Sequence, residues 1–200
     1  MDALTQAQLN IFRECIEKYV SFNEAEWIIF TQHLSLATYK KKQHFAEAGS
    51  ICRHLGFVLT GSVRYYHIID GNDVTGYFSF ERDYVSSYKS FLTGEPCNNY
   101  IQALEPTQII LISKPNLDNM LANPMLAYKM ERFGRLMAEY YLICYEDRVN
   151  SFITQTPEER YLKLLQTGRD ILQRMPQHYI ANFLGITPVS LSRIRKRIMV

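Results

Sequence analysis

The chain has 200 residues, 47% of them hydrophobic and 21% charged, with a formal net charge of +2 at pH 7. Those proportions fit one sizeable core plus a small second domain and exclude a disordered chain; so slight a charge also excludes an overall basic field, so that any affinity for nucleic acid must come from local clustering. No apolar run approaches the roughly 18 residues of a spanning helix, and Cys15, Cys52, Cys97 and Cys144 stand far apart, with no CxxC pair and no secretory pattern before them, which leads to an expectation of reduced thiols in a cytoplasmic protein.

Between Leu4 and Leu34 apolar residues recur at helical intervals (Leu9, Phe12, Ile16, Tyr19, then Trp27, Ile28, Phe30) with a break near Ser21 and Asn23, so two short helices are expected. Asn23, followed by Glu24 and Glu26, gives the second a cap and an acidic first turn. From Ala37 to Ser113 the texture changes to short β-branched and aromatic runs, 38–44, 56–59, 62–69, 74–80, 100–103 and 108–112, separated by glycine or polar turns. Asp70-Gly71-Asn72 is a hairpin signal and Thr60-Gly61-Ser62 a second tight turn. Short antiparallel strands at this spacing predict a jelly roll or related barrel.

Asn123-Pro124 opens a long helical stretch to about Thr154, with Gly134 its only strong breaker. Met130, Phe133, Met137, Tyr140, Tyr141, Cys144 and Phe152 recur along it at near-heptad steps, the pattern of a helix with the barrel on one side and a twin helix on the other. A helix covering only its own core is the alternative. Thr156-Pro157-Glu158-Glu159 reads as a capping box with proline in the first helical position, and a domain boundary is placed there. Tyr161, Leu162, Leu164 and Leu165 give that helix an inward face, and Met175-Pro176 breaks the chain before the stretch that follows.

The most informative stretch is Tyr179 to Arg197. Ile180, Ala181, Phe183 and Leu184 are spaced as one helix face, Gly185 supplies a turn, and Thr187-Pro188 starts a second helix. On that helix Leu191, Ile194 and Ile198 fall on one side, with Val189, Ser192, Arg193 and Lys196 roughly opposite. This is the grammar of a helix-turn-helix whose second helix enters the DNA major groove. Arginine offers a bidentate fork to guanine, valine can touch a thymine methyl, and serine and lysine hold phosphates. The expected DNA-contacting set is Thr187, Val189, Ser190, Ser192, Arg193, Arg195, Lys196 and Arg197, with Arg193 reading a base. The plainer reading is a solvated cationic helix end.

The order of elements resembles the Crp/Fnr family of bacterial transcription regulators. Gly56 to Val63 (Gly-Phe-Val-Leu-Thr-Gly-Ser-Val) is similar to that family's strand-glycine-strand signature, and Leu184 to Lys196 to its DNA module. The resemblance implies an α+β chain: N-terminal helices and an antiparallel, cyclic-nucleotide-binding-like jelly roll over 1–122, a linking and dimerisation helix over 123–155, and a helix-turn-helix domain over 156–200. It implies a homodimer joined through Met130, Phe133, Met137, Tyr140, Tyr141 and Cys144, binding a two-fold symmetric double-stranded DNA site and contacting RNA polymerase, with no membrane.

Nucleotide-binding members hold their ligand in the segment matching Tyr84 to Ala103, through a glycine-glutamate pair and an arginine-serine pair. Here those positions are Ser86-Ser87 and Cys97-Asn98. A buried phosphate without the arginine loses charge-assisted hydrogen bonds of about 1.5–3 kcal/mol each, so cyclic AMP is not expected and no cofactor is assigned. Ser86, Ser87, Cys97, Asn98 and Asn99 either line a pocket for a less charged effector or are a solvated vestige. Only Cys15 lies near the N-terminal place of the family's iron-sulfur cysteines, while His44, His54 and His67 are open as haem ligands. Members that read guanine-rich half-sites carry an arginine-glutamate or glutamate-rich pair where Pro188 and Val189 stand, so a different preferred sequence is expected. The family's hairpin wing is missing or abbreviated between Gln166 and Gln177.

Two other classes compete. A cupin-like metalloenzyme needs His-x-His with a nearby glutamate and a later histidine; His44, His54 and His67 are not so spaced, Glu47 is isolated, and no Gly-x-Ser-x-Gly, P-loop or His-Glu-x-x-His occurs. No catalytic or metal residue is therefore expected. A ligand-sensing module with weak or lost DNA binding is the second alternative.

Overall fold

The structure is a computed structural model that describes residues 4–198. It opens with helices α1 (Gln6–Ile16) and α2 (Glu24–Thr31), each started by a capping box, Thr5 with Gln8 and Asn23 with Glu26. Two hydrogen bonds at each cap satisfy backbone donors that would otherwise be orphaned. Strands β1 (Leu34–Tyr39), β2 (His44–Ala46), β3 (His54–Thr60), β4 (Val63–Ile69), β5 (Asn72–Ser79) and β6 (Tyr84–Val85) follow. After helix α3 (Tyr88–Thr93) come β7 (Tyr100–Ala103) and β8 (Thr107–Ser113). They form two four-stranded sheets, β1-β8-β3-β6 and β2-β7-β4-β5, the jelly-roll layout. The run expected over 38–44 is two strands, split by a turn in which Lys42 has φ +73°.

Alternation along the central strands decides the packing. Phe57, Leu59, Ile110 and Ile112 face a cluster with Phe12, Ile16, Trp27 and Phe30 of the N-terminal helices. Their neighbours Val58, Ile109 and Leu111 face Val63, Val85 and Ile101 between the sheets. A strand buried on both faces reads as an unbroken apolar run, which is why 108–112 lacks a period-two pattern. Phe12 is fully buried, its ring 4.9 Å from that of Phe57 and 5.9 Å from that of Phe30. Gly61 turns β3 into β4 at φ +92°, and a Cβ there would lie 2.4 Å from Thr107 Oγ1 and 2.7 Å from the Pro106 carbonyl. Only glycine meets both demands.

Helix α4 (Lys114–Ala122), not anticipated from sequence, starts at Ser113, whose hydroxyl accepts from Asn116 N–H. Asn123 then makes a turn, its side chain accepting from Met125 N–H, before helix α5 (Ala127–Thr154) begins. Two of the expected dimer residues need correction. Met130 (3% exposed) and Phe133 (7%) are buried in the core of their own chain, with Met137 packed against it. Their heptad steps record intramolecular packing.

Beyond α5 lie α6 (Pro157–Thr167), α7 (Arg169–Arg174), α8 (Gln177–Phe183) and α9 (Pro188–Ile198). The capping box expected at Thr156 is present, with the Glu159 carboxylate accepting from Thr156 N–H at 2.7 Å. The short helix α7 occupies the stretch where a wing was expected to be reduced. The chain forms two compact units, Met1–Tyr65 with Ser79–Tyr140, and Tyr66–Phe78 with Tyr141–Val200. The boundary expected at Thr156 falls inside the second.

Candidate nucleic-acid interface

The turn between α8 and α9 closes by two hydrogen bonds, Ile186 N–H to Ala181 C=O at 3.0 Å and Gly185 N–H to Asn182 C=O at 2.9 Å. This is a Schellman end, and it requires the left-handed conformation that Gly185 adopts at φ +70°. A Cβ on Gly185 would lie 2.6 Å from the Phe152 ring, so glycine is demanded by packing as well as by backbone. Thr187 caps α9, its hydroxyl accepting from Ser190 N–H at 3.1 Å.

Helix α9 divides as its sequence suggests. Leu191 and Ile194 are buried, while Val189 is 60% exposed. Ser192, Arg193, Lys196 and Arg197 are also exposed, and Ser190 and Arg195 half-buried. Among the described residues Arg193 and Lys196 make no side-chain hydrogen bond or ion pair, so their donors are free for a ligand. Arg197 differs: its Nη2 lies 2.6 Å from Glu158 Oε2 at the start of α6. The Thr187 and Ser190 hydroxyls share a hydrogen bond at 3.0 Å.

Behind the turn stand two arginines absent from the sequence expectations. Arg148 of α5 donates to the Phe183 carbonyl at 3.0 Å and lies over the rings of Phe183 (4.2 Å) and Phe152 (5.0 Å). Arg160 of α6 donates to the Leu184 carbonyl through Nε (3.2 Å) and Nη2 (2.9 Å), and through Nη1 to the Gln155 carbonyl at 2.6 Å. Burial lowers the Arg148 pKa from its ordinary value; Tyr77 and Tyr145 oppose the shift and Arg160 adds to it. The same unit includes most of the β4–β5 hairpin, in which the Asp73 carbonyl accepts from Asn182 Nδ2 at 3.0 Å and Phe78 lies 5.6 Å from Phe183.

A second feature missed from sequence is the outer seam of α5. Ala138, Leu142, Tyr145, Val149 and Phe152 follow a four-three heptad rhythm and are all exposed, Leu142 by 68% and Val149 by 55%. Ile143 and Ile153 flank them at 59% and 74%. This seam is one residue, about 100° of helix, from the register of Met137, Tyr141 and Cys144. Tyr140 is half exposed, and Tyr141 and Cys144 are half-buried beside the seam.

Of the polar residues expected to form an effector pocket, Ser86, Ser87 and Asn99 are engaged with the protein itself, as is the neighbouring Ser90. Ser86 Oγ donates to the His54 carbonyl at 3.0 Å, Ser87 Oγ to Asn99 Oδ1 at 2.9 Å, and Ser90 Oγ to the Glu95 carbonyl at 2.5 Å. Cys97 is 5% exposed and belongs to the inter-sheet core, its backbone N–H bonded to the Ser50 carbonyl at 2.7 Å. Asn98 is exposed. These hydroxyl protons are committed within the protein, and the segment from Tyr84 to Ala103 has no arginine to offer a phosphate a bidentate partner. No group of three or more metal-ligating side chains is placed to hold an ion, and no helix is long and apolar enough to cross a membrane, among the described residues.

The cyclic nucleotide-binding domain family matches residues 36–123, and no curated protein matches the chain. Among solved structures, FixK2 of Bradyrhizobium japonicum has 21% identity and a TM-score of 0.67, over 83% of this chain and 84% of that one. CLP of Xanthomonas campestris, described as a c-di-GMP-responsive global regulator, has 14% identity and a TM-score of 0.66, over 86% and 89%. A protein of Eubacterium rectale assigned to the Crp/Fnr regulators has 17% identity and a TM-score of 0.64, over 89% and 84%. The chain thus resembles the cyclic nucleotide-binding domain over residues 36–123 and shares, over most of its length, the fold of these solved structures.

Proposed function

We propose that the chain is a DNA-binding transcription regulator of the Crp/Fnr type that acts in the cytoplasm as a homodimer. The observation that carries this reading is the free, outward face of α9, with Val189, Ser192, Arg193 and Lys196 projecting behind a tightly closed turn. Arg193 reads a base edge, and Ser190, Ser192, Arg195 and Lys196 hold backbone phosphates. Arg197 reaches a phosphate only by leaving Glu158. The exposed α5 seam supports pairing with a second copy, since Leu142 and Val149 stand in water until a twin helix covers them. Two-fold pairing of this kind suits a symmetric site. The committed hydroxyls of Ser86 and Ser87 support a regulator that does not answer to cyclic AMP. A contact with RNA polymerase belongs to the same reading, as does the lack of enzymatic activity.

Selection from a random duplex pool, followed by affinity measurement on single-base variants, tests it. Arg193→Ala is expected to lose about 1–3 kcal/mol of discrimination at one position of each half-site, while Lys196→Ala weakens every sequence alike and lowers the salt slope by about 1. Leu142→Glu with Val149→Glu is expected to sediment as a monomer. An Arg193→Ala protein that ranks every base variant as the unchanged protein does overturns the assignment. Failure to enrich any duplex favours a ligand-sensing module without DNA binding.

A further inference from the structure

Two guanidinium groups converge on the α8–α9 turn, and among the described residues neither Arg148 nor Arg160 has a carboxylate partner. Their partners are main-chain carbonyls at two helix ends. Arg148 takes Phe183, Arg160 takes Leu184, and Arg160 also takes Gln155 just past the end of α5. The last carbonyls of a helix carry partial negative charge, so two such ends held close together call for cations between them. Phe152 completes the arrangement. Its ring lies 5.0 Å from the Arg148 guanidinium and 4.6 Å from that of Arg160, and fills the space beside Gly185.

The arginine fork matters as much as the charge. One rigid plane bonded to carbonyls of both helix ends fixes their separation and angle, which a lysine ammonium on a flexible stem cannot do. We infer that Arg148 and Arg160 are positioning residues that lock the direction of α9 to the end of α5. On the reading of a dimer joined along α5, that lock sets the distance between the two recognition helices, and with it the separation of operator half-sites that the protein accepts. The arginines touch no base; they act through the carbonyls of Phe183, Leu184 and Gln155.

The test compares the full-length protein with Arg148→Ala, Arg160→Ala and Arg160→Lys on duplexes whose selected half-sites are separated by steps of one base pair. The unchanged protein is expected to favour one spacing, and the alanine variants to bind all neighbouring spacings within about twofold of one another. Arg160→Lys is expected to recover thermal stability while keeping the flattened spacing profile. Amide exchange gives a readout that needs no DNA: Gly185 and Ile186 should exchange at least about tenfold faster in the alanine variants. Recovery of the sharp profile by Arg160→Lys, or alanine variants that keep it, overturns the positioning role. If the unchanged protein enriches no duplex, the DNA reading falls by itself, and unaltered exchange at Gly185 and Ile186 then overturns the lock independently.

Discussion

The segment from Ser86 to Asn99 and the helix from Pro188 to Ile198 are both rich in small polar side chains, yet they spend them oppositely. In the first, Ser86, Ser87 and Ser90 each donate to an acceptor of the same fold, and Cys97 is buried between sheets. In the second, Ser192, Arg193 and Lys196 stand exposed above a buried Leu191 and Ile194. A polar group paired at home contributes rigidity, because leaving it unpaired would cost its desolvation; one kept in water retains its capacity for a partner. The difference separates a braced loop from a surface whose polar groups stay in water.

Three changes sharpen or break this contrast. The largest effect is expected from Gly185→Ala, which forces a left-handed backbone on alanine and drives its Cβ into Phe152. It should destabilise the α8–α9 pair by about 2–4 kcal/mol and abolish duplex binding while leaving the β domain folded. Thermal melts read against DNA affinity check this, and a variant that binds as before shows that the turn does not govern the surface. Ser87→Ala removes the bond to Asn99 and should cost about 1 kcal/mol of β-domain stability without changing base preference. Should it instead leave the melt untouched and alter the response to a small molecule, the segment is a sensor rather than a brace.

The smallest effect concerns pH. Burial, helped by Arg53, holds the His54 imidazole below its ordinary value of 6.5. Because the folded pKa is the lower one, the unfolded chain takes up the proton first. The associated stability is complete above about pH 6.5 and is lost as pH falls toward the folded value. Denaturant titrations between pH 7.5 and 5 should show that decline, and His54→Asn should remove its share of it; an equal decline in that variant assigns the effect elsewhere.

Much of this was legible in the sequence. Thr156, Asn23 and Thr187 act at helix starts as their spacing announces, and Gly185 takes the left-handed turn. The outward and inward faces of α9 follow directly from 100° per residue. The exposed seam of α5 was harder, because an apolar residue every three or four positions looks the same whether it faces its own core, as Met130 and Phe133 do, or solvent, as Leu142 and Val149 do. Periodicity gives a face but not its neighbour. Arg148 and Arg160 left no signal, since their partners are main-chain carbonyls, which every residue has. The engagement of Ser86 and Ser87 escaped for the same reason: the acceptors come from His54 and Asn99, 32 and 12 residues away.

The second compact unit is assembled from two separate stretches, Tyr66–Phe78 and Tyr141–Val200. Within it, Phe78 packs on Phe183 and Asp73 takes a hydrogen bond from Asn182. A cut at Thr156 would strip the last four helices of that support and uncover the ring of Phe183. The α8–α9 pair is therefore poorly suited to being moved between proteins as a cassette, since part of its support is a hairpin encoded about a hundred residues upstream.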